Sequence, residues 1–145
     1  MKIKFILLLF FSFSQLHSHS QISSDQYFRN FRTLKKSFEK NGYTLKKYMV
    51  LSETLYKNDI DLVLDGKTFV TVSLFHSFNC DVDFGVTSKN KIFGLEKNTP
   101  LKKDGVYLQS WSFVSNYNQK FNFWAEIKNK CKSKGNGTVF IHIKK

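Results

Sequence analysis

The sequence predicts a mainly β protein: an antiparallel β-sandwich of about seven or eight strands with one N-terminal amphipathic helix. From residue 43 onward, apolar and polar residues alternate in short segments, which is the pattern of half-buried strands. Turn residues separate these segments and no helical pattern lies between them, which favours antiparallel pairing over a parallel sheet. The 145 residues therefore divide into a leader (1–20), a helical segment (21–42) and a sandwich domain (43–145).

The leader has the pattern of a secretory signal peptide. Lys2 and Lys4 precede an unbroken apolar run over 5–11, and the small residues Ser18 and Ser20 suit cleavage after Ser20. The run is shorter than the roughly 20 residues that a helix needs to cross a bilayer. We therefore expect a secreted or periplasmic protein with no membrane span.

The helical segment carries an apolar stripe. Asn41-Gly42 is typical of a helix C-terminus, and the basic residues Arg29, Lys35, Lys36 and Lys40 fall outside the stripe. This stripe either docks on the sandwich or remains exposed and binds an envelope protein partner. Its members are Tyr27, Phe31, Leu34 and Phe38.

The strands follow one another with turn residues between them. Asp65-Gly66 is the strongest turn signal and predicts a tight hairpin between two strands. The alternating rows are Ile60–Leu64, Val70–Leu74, Val82–Val86, Tyr107–Phe113, Phe121–Ile127 and Val139–Ile143.

Two motifs resemble the bacterial pre-peptidase C-terminal-like domains, which are secreted β-sandwiches. The first is DGKTFVTV at 65–72 and the second is NCDVDF at 79–84, where a strand after a glycine turn leads through an acidic loop into the next strand. The resemblance spans 43–143. It implies a noncatalytic accessory domain of a kind that in some relatives binds polysaccharide or calcium.

The chain has two cysteines, Cys80 and Cys131. Disulfides form and persist in exported proteins, and an even count favours pairing. We expect a bridge between the two, with buried free thiols or a metal site as the alternatives. The metal site is disfavoured because no CxxC pair is present and His76 and His142 are the only histidines after the leader.

A calcium site is one interpretation of the acidic motif. Asn79, Asp81 and Asp83 alternate and could present oxygens on one side of a strand entrance, and calcium binds several oxygen ligands. The spacing does not match an EF-hand loop, however. Solvated polar residues on a strand are the alternative, and the sequence calls for no other cofactor.

His76 and His142 could form the acid–base pair of a small secreted hydrolase such as a ribonuclease. The alternation predicts His142 on an outer sheet face and His76 near a strand end, so nothing in the pattern brings the two together. No nucleophile elbow, HExxH motif or P-loop is present. We therefore expect no catalytic activity.

The charge balance points to anionic partners. The chain has 23 basic and 11 acidic residues; without the leader's two lysines, 21 basic residues remain and the net charge is +10. Such a surface attracts polyanions. We expect a binding module for anionic polysaccharide or another envelope or extracellular polyanion. The alternative is that the positive charge reflects solubility and genome composition and serves no specific ligand. The candidate residues in one loop are Lys128, Lys130, Lys132 and Lys134.

Overall fold

A computed structural model describes residues 24–89, 91–92, 101–103, 105–128 and 135–145. These residues form one helix, α1 (Ser24–Lys40), and nine strands. The strands are β1 (Thr44–Ser52), β2 (Lys57–Leu64), β3 (Thr68–His76), β4 (Val82–Ser88), β5 (Lys91–Ile92), β6 (Leu101–Lys103), β7 (Val106–Ser115), β8 (Gln119–Ile127) and β9 (Asn136–Lys144). The leader predicted at 1–20 lies outside the described residues.

The strands form two antiparallel sheets. Sheet A has the order β1-β9-β3-β7-β6, and sheet B has the order β2-β8-β4-β5. Each pairing among the described strands is antiparallel. The predicted class, a mainly β antiparallel sandwich with an N-terminal helix, is confirmed.

Alternate residues of each strand build the core between the sheets. Side chains of one face point inward and side chains of the other point outward, because a strand has a period of two. The predicted apolar rows all contribute to this core, which also contains Trp111. Fully buried rings such as Phe84, Phe121 and Phe123 each contribute about 1.5–3 kcal/mol through burial.

Helix α1 packs on the outer face of sheet A and closes a second core. Tyr27, Leu34 and Phe38 are buried there, and Phe31 is partly buried, with its ring 4.8 Å from that of Phe140. This confirms the docked interpretation of the apolar stripe. The alternative, in which the stripe stays exposed and binds an envelope protein, is contradicted because three of its four side chains are covered by the sheet.

The helix ends where the sequence predicts. Gly42 has a φ of 80°, a conformation that glycine adopts without strain. The amide of Tyr43 donates to the Phe38 carbonyl at 3.1 Å, and the amide of Gly42 donates to the Glu39 carbonyl at 3.0 Å. These bonds satisfy carbonyls that the end of a helix leaves open.

Among the residues that the structure describes, no helix has the length and the apolar character that a membrane span requires.

The predicted hairpin at Asp65-Gly66 is wrong. β2 lies in sheet B and β3 lies in sheet A, so the turn connects the two layers and the strands on either side of it do not pair. Lys67 takes a φ of 61°, and the amide of Gly66 donates to Asn118 Oδ1 at 2.6 Å. The alternating pattern fixes which face of each strand is buried, and it leaves open which sheet the strand joins.

Candidate functional site

The inner face of sheet A changes from apolar to polar toward one end of the sandwich. Along β3 the inner row ends in His76, and along the antiparallel β7 the row begins with Tyr107 and Gln109. The register places His76 opposite Tyr107. The apolar part of the same two rows is Val70, Val72, Leu74, Trp111 and Phe113.

These polar residues form one wall of a cleft, which we call the end cleft. Sheet B supplies the other wall through the start of β4 and the residue after β8, and the β3–β4 connection crosses between the sheets there. The cleft has a volume of about 430 Å³, which is the size of small-molecule sites. Its described lining consists of His76, Asn79, Cys80, Asp81, Val82, Asp83, Tyr107, Gln109 and Lys128.

His76 is the most deeply placed polar group of the end cleft. Only 7% of the residue is exposed, and its ring stacks on that of Tyr107 with centroids 4.9 Å apart and planes 7° from parallel. Burial lowers the pKa of His76 to about 4, while the Phe78 backbone and the Asp81 carboxylate act in the opposite direction. The ring is therefore neutral at pH 7, and its buried Nδ1 has no hydrogen-bond partner in the described structure.

The residues of the predicted calcium site all line the end cleft. Cys80 and Val82, which alternate with Asn79, Asp81 and Asp83, line the cleft as well, so the lining does not test whether the three share one side. Asp83 Oδ2 lies 3.2 Å from Lys128 Nζ, and its Oδ1 accepts from the Phe84 amide at 3.0 Å. No group of three or more His, Cys, Asp or Glu in the described ranges could hold a metal ion. The calcium site stays a prediction, and an ion there would compete with Lys128 for Asp83.

Cys80 also lines the end cleft. The described part of the chain holds no free cysteine, and Cys131 lies outside it. The bridge between Cys80 and Cys131 therefore stays a prediction.

The predicted polyanion loop is described only at its first residue. The Lys128 side chain is exposed and ion-paired with Asp83, and its amide donates to the Asp81 carbonyl at 3.0 Å. The paired carboxylate reduces the net positive charge that this ammonium offers to a polyanion. Lys130, Lys132 and Lys134 lie outside the described residues.

The two histidines lie on opposite faces of sheet A. His142 is on the outer face, as predicted, whereas His76 is on the inner face. In the register, His142 is opposite Thr71, five residues from His76 along β3, which corresponds to about 16 Å. The hypothesis that the pair catalyses hydrolysis together is therefore wrong.

His142 is buried because α1 covers it. The residue is 0% exposed and stacks on Phe38, with ring centroids 4.0 Å apart and planes 12° from parallel. Neither ring nitrogen has a hydrogen-bond partner in the described structure. Burial lowers the pKa of His142 to about 4, and the charge of Lys35 acts in the same direction.

The exposed side of α1 is basic. Residues 29, 32, 36 and 40 follow one another at three- and four-residue spacing, so they share one helical face. At 100° per residue this face points about opposite to the buried stripe. Glu39 is the acidic side chain of the helix that the structure describes, and its Oε1 lies 3.8 Å from Lys35 Nζ. We call the exposed residues Arg29, Arg32, Lys36 and Lys40 the basic helix face.

The two tryptophans occupy different environments. Trp111 is buried in the core between the sheets. Trp124 alternates with the inward-facing Phe123 and Ala125, so it lies on the outer face of sheet B and is half-buried. Its ring lies against Gly85, where an added Cβ would be 2.7 Å from Trp124 Cζ2.

Comparison of the chain with protein-family models and with curated proteins finds no match. The resemblance to pre-peptidase C-terminal-like domains rests on its two motifs and stays a prediction.

Proposed function

We propose that the protein is a secreted or periplasmic, noncatalytic module that binds an anionic polysaccharide through the basic helix face. The observation that carries this proposal is the row of four exposed cations on one side of α1. Glu39, the described carboxylate of the helix, is already paired with Lys35. Among the described side chains of the helix, the row therefore presents positive charge with little compensation.

The basic helix face is held in place before any ligand arrives. Tyr27, Leu34 and Phe38 anchor the opposite side of the helix in a closed core, and the Tyr27 hydroxyl lies 2.8 Å from Thr138 Oγ1. Binding therefore requires ordering of the cationic side chains alone, which lowers its entropic cost. The row runs from residue 29 to residue 40, eleven helical rises or about 16 Å, so a linear polyanion can contact several of its members at once.

A polysaccharide suits this face better than single-stranded nucleic acid. Proteins that bind single strands offer a series of aromatic rings on which successive bases stack. Near the helix the described exposed rings are Phe28, which is 52% exposed, and Tyr48, which is 54% exposed and lies 6.4 Å from the Phe31 ring on the other side of the helix. They are two separate rings and do not form a series. The predicted signal peptide and the resemblance to accessory domains of secreted enzymes both support a glycan ligand outside the cytoplasm.

The test is the binding of polygalacturonate, a linear acidic polysaccharide, to the protein purified after expression of the full chain and export. One variant replaces the four arginines and lysines of the basic helix face with glutamine. The control variant replaces four exposed lysines elsewhere, Lys57, Lys67, Lys89 and Lys120, and so has the same net charge. We expect the helix variant to lose about tenfold or more in affinity and to show a weaker salt dependence, while the control loses far less.

Equal losses in the two variants would contradict the proposal, because they would show that total charge alone attracts the polymer. Double-stranded DNA and anionic lipid vesicles are measured in the same salt series. Tighter binding of either at physiological salt would replace polysaccharide as the ligand.

A further inference from the structure

We propose that the end of the sandwich opposite the end cleft docks on a phospholipid bilayer that carries anionic headgroups. The β2–β3 turn (65–67) and the β7–β8 turn (116–118) meet there. We call these turns and the strand ends beside them the turn end. This surface is distinct from the basic helix face, so the inference stands whether or not that face binds a polysaccharide.

The two turns project beyond the paired strands. The last pair of β2 with β8 is Leu64 with Gln119, and at the same end β3 pairs with β7 from Thr68 with Ser115 onward. Strand β3 runs from there to the end cleft, so the two ends of the sandwich are one strand length apart. The turns are therefore the part of this end that meets a flat surface first.

The turns hold each other in place. The amide of Gly66 donates to Asn118 Oδ1 at 2.6 Å, and a Cβ added at Gly66 would lie 3.0 Å from the Asn116 carbonyl oxygen. Within the second turn, Ser115 Oγ donates to the Tyr117 carbonyl at 2.9 Å. The turn end is thus ordered before it meets a bilayer, which lowers the entropic cost of binding.

Three apolar side chains are exposed at the turn end. Tyr117 lies in the second turn and is 76% exposed. Val63 and Val114 each lie two residues before a turn, on the outer faces of sheets B and A, and are 67% and 50% exposed. Among the described large apolar side chains, Tyr117 and Val63 are the most exposed. Entry into the interfacial layer of a bilayer would remove all three from water.

Lysines surround these apolar side chains. The described carboxylates beside them are Asp61 Oδ2, 2.6 Å from Lys120 Nζ, and Asp65 Oδ2, 3.3 Å from Lys145 Nζ. Five lysines thus accompany two carboxylates among the described residues, which leaves the turn end positive and complementary to anionic headgroups. The exposed lysines are Lys67, Lys89, Lys120, Lys144 and Lys145.

A bilayer suits this combination better than a folded protein partner. A stable protein interface buries about 800 Å² on each side with complementary shape, whereas the turn end offers three apolar side chains on projecting turns. The tyrosine ring suits the headgroup layer of a membrane. Lysine stems can lie along apolar surface while their ammonium groups reach the phosphates. The contact is therefore peripheral and reversible.

The experiment measures the partition of the exported protein, expressed as the full chain, onto large unilamellar vesicles by sedimentation. One set of vesicles is an equal mixture of phosphatidylglycerol and phosphatidylcholine, and the other is phosphatidylcholine alone. We expect the protein to bind the mixed vesicles, more weakly as salt rises, and to bind phosphatidylcholine alone far less.

Tyr117→Ser with Val63→Thr should lower the partition onto mixed vesicles about tenfold or more, because apolar surface is lost while every charge stays. The matched control is Tyr48→Ser with Val50→Thr, which removes a tyrosine and a valine that are exposed on β1. Since these two lie away from the turn end, the control should change the partition by less than about twofold.

Two variants of equal net charge separate the turn end from the basic helix face. The variant with glutamine at Lys57, Lys67, Lys89 and Lys120 lacks three lysines of the turn end and should lose most of its vesicle binding. The variant with four glutamines on the helix should keep far more of it. Vesicle binding that disappears with the helix residues instead would belong to the helix face and would overturn this proposal.

Tyr117→Trp reports insertion directly. On mixed vesicles the introduced indole should emit at shorter wavelength and be quenched by brominated phosphatidylcholine, whereas the indole of Tyr48→Trp should show neither change. The proposal is overturned if mixed vesicles bind no better than phosphatidylcholine alone, or if the two serine and threonine variants respond equally. Unchanged emission of the Tyr117→Trp variant while vesicles are bound would overturn it as well.

Discussion

His76 and His142 show how a single buried side chain makes the fold sensitive to acid. Each is neutral in the folded protein because burial lowers its pKa to about 4, against 6.5 for an exposed imidazole. The unfolded chain therefore binds more protons than the folded one between these values. The stabilisation from each neutral ring is complete above about pH 6.5 and is lost as the pH falls toward 4.

Replacement of His142 by phenylalanine should remove part of this acid sensitivity. The ring can keep its stack on Phe38, and it has no nitrogen to protonate. Between pH 7.5 and pH 5, a group with a pKa of about 4 in the folded state and 6.5 in the unfolded state loses about 2 kcal/mol of stability. His142→Phe should therefore lose about 2 kcal/mol less than wild type over this range, measured by urea unfolding at constant ionic strength. The same pH dependence in both proteins would contradict the assignment.

Gly85 matters because of its neighbour across the sheet. A Cβ at this position would lie 2.7 Å from Trp124 Cζ2, so Gly85→Ala forces the indole ring to move. We expect a loss of about 1–3 kcal/mol in unfolding free energy. In the background of Trp124→Ala the same change should cost much less, because the clash is gone. A double-mutant cycle by urea unfolding measures this difference, and an unchanged cost in that background would rule out the clash as the cause.

At the scale of elements, helix α1 stabilises sheet A from outside. Leu34 is 0% exposed in the cluster between helix and sheet. Leu34→Ala should therefore cost about 2–5 kcal/mol. Arg32→Ala, two residues earlier on the exposed side, should change stability by less than about 0.5 kcal/mol. Thermal and urea unfolding check both values, and a small effect of Leu34→Ala would mean that the helix contributes little to the folded state.

The elements also show how far sequence reasoning reaches. The helix, its C-terminus and the inward rows of the strands follow from local periodicity, and these predictions are confirmed. The pairing of β2 with β8 does not follow, because the rows of β2 and β3 alternate equally well whether the turn between them makes a hairpin or crosses between sheets. Strand partners depend on contacts distant in sequence.

The candidate site is predictable from the sequence only where it depends on one segment of the chain. The acidic motif singles out Asn79, Asp81 and Asp83, and all three line the end cleft together with Cys80 and Val82. The contribution of Tyr107 and Gln109 depends on the register between β3 and β7, which the sequence pattern does not specify. The sequence does contain a signal for the cleft. The inner row of β3 ends in His76, and the inner row of β7 begins with Tyr107 and Gln109, where apolar residues would continue the core.

At the scale of the whole molecule, sheet A separates two surfaces of different chemistry. Its outer face is covered by α1, whose far side presents the cations Arg29, Arg32, Lys36 and Lys40. Its inner face ends at the cleft with Asp81 and Asp83. The basic helix face and the end cleft therefore lie on opposite sides of sheet A.

The predicted bridge between Cys80 and Cys131 concerns the stability of the whole domain. It would close a loop of about 50 residues, which in the chain-entropy model stabilises the fold by about 4 kcal/mol. The bridge would also tie the β3–β4 connection at the end cleft to the segment between β8 and β9.

We expect the exported protein to resist alkylation in denaturant until it is reduced, as measured by intact mass. Reduction should lower the unfolding free energy by about 4 kcal/mol, and Cys80→Ser with Cys131→Ser should reproduce that loss without reductant. Alkylation of both thiols in the unreduced protein would exclude the bridge, and the double variant would then be as stable as wild type to within the small cost of two serines.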